Sequence, residues 1–236
     1  MTTTVCPICF STSLSEFNTR PHAYCAKCGS LERGRLVWMV ASRLGLLRPG
    51  VNFLNLAPEP FMLSYGRRII GESLVAGDFS PQNFNASAGP IIRVDLCEDR
   101  LPFDDNSLDV IMHNHVLEHV CCSVPQVIQK LNRLLKPGGY HLISIPLFPG
   151  RKSEEDLSEI SPDEKKRRFG QNDHVRLFGD DFMEFFRAGG IATGLLDLQG
   201  LFFPHELETW GIPAETLARP SGHTIFAWRK PEPSHG

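Results

Sequence analysis

The chain has 236 residues, a formal net charge of −3 at pH 7, 42% hydrophobic residues and 22% charged residues. These values are ordinary for a globular protein, and the length suits one α/β domain plus a small module. No apolar run reaches the length of a membrane span, so we expect no transmembrane helix. The acidic balance argues against a large nucleic-acid footprint, which needs a basic face.

Two C-x-x-C pairs stand near the start of the chain, Cys6 with Cys9 and Cys25 with Cys28, separated by fifteen residues. Two such turns can close a tetrahedron of thiolates around Zn²⁺. A closed four-sulfur site has no open position for a substrate, so we interpret this zinc as structural and residues 1–30 as a zinc knuckle. Two redox motifs or unpaired buried thiols are the alternative.

Three further cysteines lie outside this set: Cys97, Cys121 and Cys122. The last two are adjacent and cannot easily pair with each other. The first residues lack the basic stretch and apolar stretch of a secretory signal. We therefore expect reduced thiols and a cytoplasmic protein.

Residues 31–50 are predicted to form a helix that connects the knuckle to the main domain. Arg33, Arg35 and Arg43 occupy its polar positions, and Arg48-Pro49-Gly50 ends it. Its apolar side chains recur at helical spacing and are Leu36, Val37, Val40, Leu44 and Leu47.

From residue 51 the pattern alternates between strands and helices up to residue 230. Seven strands are predicted, at 51–56, 73–77, 91–94, 108–112, 140–145, 194–203 and 223–229. Helices are predicted at 61–67, 124–135 and 180–188. This alternation implies an α/β fold with a mostly parallel sheet and helices on both faces. Such sheets bind ligands at the carboxyl ends of their strands, where Asn55, Asp78, Asp95 and Asn114 fall.

Residues 147–176 interrupt the alternation with a densely charged stretch that carries several proline and glycine residues. It is too long for an ordinary connection, so we predict a lid, a binding loop or a disordered excursion. The basic run 165–168 inside it is typical of a solvated helix face. The last residues, 231–236, are predicted to form a loose tail.

Three stretches of the main domain have distinctive sequences: 101–111 (LPFDDNSLDVI), 115–120 (HVLEHV) and 131–139 (LNRLLKPGG). Together they resemble the class I S-adenosylmethionine-dependent methyltransferases, and within these the small-molecule group that contains the ubiquinone and menaquinone enzymes. The resemblance covers about residues 50–230. It implies a Rossmann-like fold, here with seven strands behind a small zinc-binding module, and S-adenosylmethionine as the cofactor.

The loop after the first strand departs from the family pattern. The family usually has an acidic residue and then G-x-G-x-G, where this chain has Asn55 for the acid and Ala57 and Glu59 for two of the glycines. Those glycines allow the backbone to approach the methionine part of the cofactor. We predict that Glu59 supplies a carboxylate to the cofactor's ammonium group. The alternative is that Glu59 only caps the following helix.

The resemblance assigns the end of the second strand to the nucleoside of the cofactor. An acid at this place takes the two ribose hydroxyls, which need a bidentate acceptor, and Asp78 occupies it. The neighbouring Phe79 would cover the adenine. An acid at a strand end is otherwise a turn residue.

The third strand ends in a second candidate for the nucleoside. Asp95, followed by Leu96, resembles the position that accepts the adenine amino group, with Glu98 and Asp99 as rivals. A plain turn acid is again the alternative. Asn114 follows the fourth strand, where the family lines the cleft between cofactor and acceptor.

Histidines supply the candidate catalytic residues. His115 follows the fourth strand beside the cleft, and His174, near the end of the charged stretch, could act as a general base. Arg176 could hold an acidic acceptor, or this segment could be a plain surface loop. His115, Glu118 and His119 share helical spacing that would suit a metal ion, but no further ligand is apparent, so we predict that His119 is a hydrogen-bonded core residue.

We therefore predict methyl transfer from S-adenosylmethionine to a small or medium-sized acceptor, with no membrane partner. The acceptor atom and the oligomeric state stay open. One alternative is an RNA methyltransferase, since zinc knuckles can bind single-stranded RNA. Another is a scaffold of the same fold, catalytically weak, that docks a protein.

Overall fold

The computed structural model describes residues 4–217 and 220–233 of the chain. The predicted tail at 231–236 falls partly outside these residues. Strands and helices are numbered below in chain order. Within the described residues, no helix is long and apolar enough to cross a membrane.

A small module opens the fold. Strands β1 (Leu14–Phe17) and β2 (Arg20–Cys25) form an antiparallel hairpin, and helix α1 (Glu32–Arg43) follows it. The helix ends earlier than the predicted stripe, because the chain turns through Gly45, whose φ is +69°.

The structure corrects the predicted position of Arg35, which is fully buried rather than on a polar face of α1. Its guanidinium donates five hydrogen bonds of 2.7–3.2 Å to backbone carbonyl groups. The acceptors belong to the hairpin, to the turn before α1 and to a distant segment, and are His22, Ala23, Ser30, Trp210 and Gly211. One side chain thus joins the cysteine module to the C-terminal part of the chain.

The strands of the central sheet are β3 (Phe53–Leu56), β4 (Leu74–Asp78), β5 (Ile92–Arg93), β6 (Leu108–Asn114), β7 (Leu135–Ser144) and β10 (Ile225–Arg229). Their order across the sheet is β10-β7-β6-β3-β4-β5, and only β10 is antiparallel to its neighbour. The mostly parallel α/β architecture predicted from the sequence is confirmed.

Helices cover both faces of this sheet. On one face, Val51 and Phe53 pack in a hydrophobic cluster with α1. On the other face, Leu54 and Leu56 pack in a second cluster with α3 (Val124–Leu134) and α5 (Phe182–Ala188). This side-to-side alternation is the period of a strand that is buried on both faces. A π-helical turn at Met62–Gly66 leads into α2 (Arg67–Ile70), and α6 (Pro204–Thr209) lies near the C-terminus.

The sheet has six strands among the described residues, not seven. The predicted strand at 194–203 is reduced to one bridge between Leu195 and Trp228. The side chain of Asp197 accepts a 2.9 Å hydrogen bond from the Gln199 backbone N–H, and this local turn competes with strand pairing.

The charged stretch at 147–176 is folded. It contains α4 (Pro162–Phe169) and a short antiparallel pair of strands, β8 (Glu154–Glu155) and β9 (Arg176–Leu177). The predicted basic run lies on α4, where Arg168 forms a 2.7 Å ion pair with Glu154. We call this segment the insertion.

Candidate active site

A cavity of about 650 Å³ opens at the carboxyl ends of β3, β4, β5 and β6. Parallel strands bring their carboxyl ends to one edge, which is why residues far apart in the chain meet here. Six of the predicted site residues line it: Ala57, Asp78, Phe79, Asp95, Leu96 and His115. Four others lie outside its lining: Asn55, Glu59, Asn114 and His174.

Ala57 has a left-handed backbone, with φ at +47°. Its N–H donates a 2.8 Å hydrogen bond to the carbonyl of Gly77 on the neighbouring strand. The loop after β3 therefore has a left-handed residue that carries a Cβ. Gly77, which the sequence reasoning missed, also lines the cavity, and a Cβ at this position would lie 2.7 Å from Val94.

The two strand-end acids face the cavity through short turns. Asp78 accepts a 2.7 Å hydrogen bond from the Ser80 backbone N–H through Oδ1. Asp95 accepts a 3.0 Å hydrogen bond from the Cys97 backbone N–H through Oδ1, and its Oδ2 lies 3.1 Å from the guanidinium of Arg93. Both side chains therefore stabilise a turn, which is the role that the sequence offered as the alternative to cofactor binding. Asp95 has less free acceptor capacity than Asp78.

Phe79 lies at the rim of the cavity and is 63% exposed. The guanidinium of Arg93 stands 5.4 Å from the centre of its ring. An exposed aromatic ring beside an acidic strand end is a surface on which a planar heterocycle can stack.

Glu59 is held by partners away from the cavity. Its Oε2 accepts a 2.9 Å hydrogen bond from the amide of Asn114, and its Oε1 lies 3.3 Å from Arg33 of α1. Asn114 in turn accepts a 3.1 Å hydrogen bond from the hydroxyl of Ser144. These contacts favour a role for Glu59 in fixing the loop after β3 against α1 and β6.

Asn55 is buried, and its amide donates hydrogen bonds to the carbonyls of Leu56 and Met112. It links β3 to β6 just below the cavity. The structure therefore places Asn55, like Glu59, among the residues that shape the loop.

His115 borders the cavity with a left-handed backbone, at φ +53°. Its Nε2 lies 2.9 Å from the carbonyl oxygen of Gly222 and donates to it. Burial, with a smaller effect from Arg33, lowers the pKa of His115 to about 3. At neutral pH this side chain is an uncharged imidazole and a weak base.

The end of the insertion is buried rather than open to the cleft. His174 is 2% exposed and its Nδ1 lies 3.0 Å from the carbonyl of Phe169. Burial lowers the pKa of His174. Arg176 is 1% exposed and donates to Glu155 and to the carbonyls of Leu117 and Cys122. Each of its three guanidinium nitrogens donates to an acceptor within the protein, so the structure gives Arg176 a bracing role instead of the predicted contact with an acidic acceptor.

Glu118 and His119 were undervalued by the sequence reasoning. His119 is half-buried on the cavity wall rather than in the core, with Nδ1 at 3.3 Å from Oδ2 of Asp173. Glu118 is fully buried, and this burial raises its pKa to about 8. The spacing H-x-x-E-H pointed to these residues, but the third partner was hidden in the insertion.

Cys97 and Cys122 form a disulfide bond, which corrects the expectation of reduced thiols at both positions. The adjacency of Cys121 and Cys122 in the sequence argues only against a disulfide bond between these two residues. The sheet edge brings the loop after β5 against the loop after β6, so Cys122 pairs across the cavity wall. Cys121 stays a free, exposed thiol.

The four N-terminal cysteines form a buried cluster. The Sγ atoms of Cys6 and Cys28 lie 3.6 Å apart, and those of Cys9 and Cys25 lie 3.5 Å apart. The interaction with Cys28 lowers the pKa of the Cys6 thiol to about 4. The same interaction raises the pKa of the Cys28 thiol, and burial raises that of the Cys9 thiol. Cys6 and Cys28 thus share one proton, and Cys6 is the member of the pair that is in the thiolate form, which binds metal.

Comparison with known proteins bears on the main domain. Residues 61–143 match a family model described as a methyltransferase domain. The predicted enzyme class, a methyltransferase, is confirmed. None of the curated proteins matches the chain.

Solved structures with a similar fold include an S-adenosylmethionine-dependent methyltransferase from Mesorhizobium loti. It is 17% identical, with a TM-score of 0.53 over 82% of this chain and 97% of that chain. Another is geranyl diphosphate C-methyltransferase from Streptomyces coelicolor, 14% identical, with a TM-score of 0.50 over 85% of this chain and 79% of that chain. These similarities show that the methyltransferase domain has the fold of these enzymes.

Proposed function

We propose that the methyltransferase domain transfers a methyl group from S-adenosylmethionine to a small or medium-sized acceptor. The observation that carries the proposal is the 650 Å³ cavity at the carboxyl edge of the sheet, which gathers Asp78, Asp95 and Phe79. Pockets of about 300–1,000 Å³ hold small ligands. A cavity of this volume has room for a cofactor and a small acceptor group.

The lining of the cavity offers groups that suit the nucleoside part of the cofactor. The carboxylate of Asp78 would take the ribose hydroxyls through Oδ2, since Oδ1 already holds the turn at Ser80. Phe79 would stack on the adenine, and Asp95 with Leu96 would border its edge. The left-handed turn at Ala57 would lie beside the methionine part.

The residues of the chain would act mainly by positioning. When bound, S-adenosylmethionine supplies a sulfonium methyl group that its positive charge already activates. Apolar side chains of Val94, Val116 and Val120 line the cavity and exclude water. Holding two reactants in line can lower a barrier by several kcal/mol. His115 is neutral there and would orient the acceptor by hydrogen bonding, because its low pKa makes it a poor base.

Calorimetry with S-adenosylhomocysteine tests this proposal. We expect one molecule bound per chain, and a loss of about tenfold or more in affinity for Asp78→Ala. Asp163→Ala is the matched control, because Asp163 is an exposed acid on α4, outside the cavity lining. Equal affinity for Asp78→Ala and Asp163→Ala would remove Asp78 from the site. No binding to the wild type would overturn the proposal and favour the scaffold alternative.

We also propose that the cysteine cluster binds one structural Zn²⁺. Zinc–sulfur bonds of about 2.3 Å place the sulfurs of a tetrahedral site about 3.8 Å apart. The observed pairs at 3.5 and 3.6 Å need little adjustment. The buried guanidinium of Arg35 lies close enough to interact electrostatically with the thiolates of Cys6, Cys25 and Cys28. Its positive charge would offset part of the negative charge of a four-thiolate zinc centre.

A further inference from the structure

Three potential metal ligands from two distant segments converge beside the cavity. Glu118 and His119 belong to the loop after β6, and His174 belongs to the end of the insertion. One ligand atom from each lies within 4.8 Å of the other two. His119 also lines the cavity, so the cluster lies at its wall.

Buried polar atoms in this cluster have no partner among the described residues. They are both carboxylate oxygens of Glu118 and Nε2 of His174, on side chains that are 0% and 2% exposed. A buried polar atom without a partner costs about 1–3 kcal/mol, and more when charged. Three such atoms facing one another indicate a ligand between them.

The other nitrogen of each histidine is already engaged. Nδ1 of His174 donates to the carbonyl of Phe169, and Nδ1 of His119 faces the carboxylate of Asp173 at 3.3 Å. In each ring, Nε2 therefore carries the lone pair that is available to bind a metal ion. Histidines that bind metals are oriented in this way by a second hydrogen bond to a carbonyl or a carboxylate.

The backbone around the cluster is also braced. The N–H of Val175 donates a 3.0 Å hydrogen bond to the carbonyl of Glu118. Arg176 binds the carbonyls of Leu117 and Cys122, on either side of Glu118 and His119. The insertion therefore holds its own histidine against the loop that carries the other two ligands.

We propose that Glu118, His119 and His174 bind a divalent transition-metal ion at the wall of the cavity. Two imidazoles and one carboxylate suit Zn²⁺, Fe²⁺ or Mn²⁺, and three protein ligands leave open positions toward the cavity. Bound donors stand about 3.0–3.6 Å apart, so the observed 3.9 Å between Glu118 Oε1 and His119 Nε2 needs only a small side-chain rotation. This site is distinct from the cysteine cluster and does not require methyl transfer.

Cobalt titration of the full chain, with its cysteine cluster first filled with Zn²⁺, tests the proposal. We expect one equivalent of Co²⁺ to bind by calorimetry, with a visible spectrum that lacks thiolate-to-cobalt charge transfer. Glu118→Gln and His174→Ala should each weaken binding by about 100-fold or more. Asp173→Asn, which removes only the partner of His119, should weaken it by about 10–100-fold.

Two exposed residues provide matched controls, His205→Ala on α6 and Asp163→Asn on α4, and both should bind Co²⁺ like the wild type. Glu118→Gln changes one atom, and circular dichroism melting checks that it is folded. Wild type that takes up no Co²⁺, or Glu118→Gln and His174→Ala that both bind it normally, would overturn the proposal.

Discussion

At the scale of single residues, Ala57 holds a left-handed turn although it carries a Cβ. Its φ of +47° lies in the region that costs a residue with a Cβ about 1–2 kcal/mol. The hydrogen bond to Gly77 and the packing of β3 beside β4 hold it there. The loop therefore stores strain where it meets the cavity.

Ala57→Gly is expected to stabilise the protein by about 0.5–1 kcal/mol, because relief of the left-handed strain exceeds the added freedom of the unfolded chain. Urea unfolding monitored by circular dichroism measures the difference. The same substitution at Ala41, within helix α1, should destabilise by about 1 kcal/mol or more. If both substitutions destabilise, the strain at Ala57 is not real.

Arg35 and Arg176 show a second residue-scale pattern. Sequence spacing predicts a polar helix position for Arg35, and the place of Arg176 at the end of the charged stretch suggests that it could hold an acidic acceptor. Both are instead buried and donate to backbone carbonyls of remote segments. Arg suits this role because its planar group carries five N–H donors and keeps its charge.

At the scale of elements, a chain of buried side chains joins β6, β7 and α3. Nε2 of His113 lies 3.0 Å from Nε2 of His141, whose Nδ1 lies 2.8 Å from Oδ1 of Asn132. All three side chains are buried. Burial lowers the pKa of His113 to about 3 and lowers that of His141 as well. The central strands thus contain two histidines that must stay neutral.

The buried histidines of this hydrogen-bonded row make the protein less stable as the pH falls. In the folded state His113 stays neutral down to about pH 3, whereas in the unfolded chain it takes a proton below about pH 6.5. The unfolded state therefore binds more protons, and stability falls as the pH drops through this window. For His113 alone the loss between pH 7 and pH 4.5 is about 2–3 kcal/mol.

His113→Gln keeps an amide donor for His141 but cannot be protonated. Its free energy of unfolding should fall less steeply between pH 7 and pH 4.5 than that of the wild type, by about 2–3 kcal/mol. Denaturant titrations at several pH values measure this. His205→Gln removes an exposed histidine and should follow the wild-type slope. Parallel curves for His113→Gln and wild type would contradict the prediction.

At the scale of the whole molecule, the cysteine module shares a hydrophobic cluster with the central sheet. Cys6, Cys9 and Ile8 belong to the same hydrophobic cluster as Phe53 of the central sheet. The N–H of Val5 donates a 2.7 Å hydrogen bond to the carbonyl of Thr209 on α6. Arg35 adds its contacts to both ends of the chain. The module and the methyltransferase domain should therefore unfold together.

Cys25→Ser is expected to lose the zinc proposed for the cluster and to lower the melting temperature of the entire protein in one transition. A loss of about 3 kcal/mol corresponds to a fall of about 6–12 °C for a chain of this size. Differential scanning calorimetry, with metal analysis of the same samples, measures both. Cys121→Ser, at an exposed free thiol, is the control. A separate early transition, with the main melt unchanged, would show that the module folds on its own.

The sequence by itself determined the features that short windows encode. The C-x-x-C spacing brought together four cysteines, and alternating strands and helices gave a parallel sheet whose carboxyl edge collects Asp78 and Asp95. The motif at 101–139 identified the class of domain that the family match confirms. Each of these depends on the periodicity or spacing of neighbouring residues, which a sequence displays directly.

Only the tertiary structure decided which distant side chains meet. It paired Cys97 with Cys122 in a disulfide bond and placed His174 beside Glu118 and His119. It also brought the carboxylate of Glu59 into a hydrogen bond with the amide of Asn114. It also replaced the predicted strand at 194–203 with a turn built on Asp197. The physical reason is that such contacts depend on how loops from separate strands pack at one edge, and no local pattern records that packing.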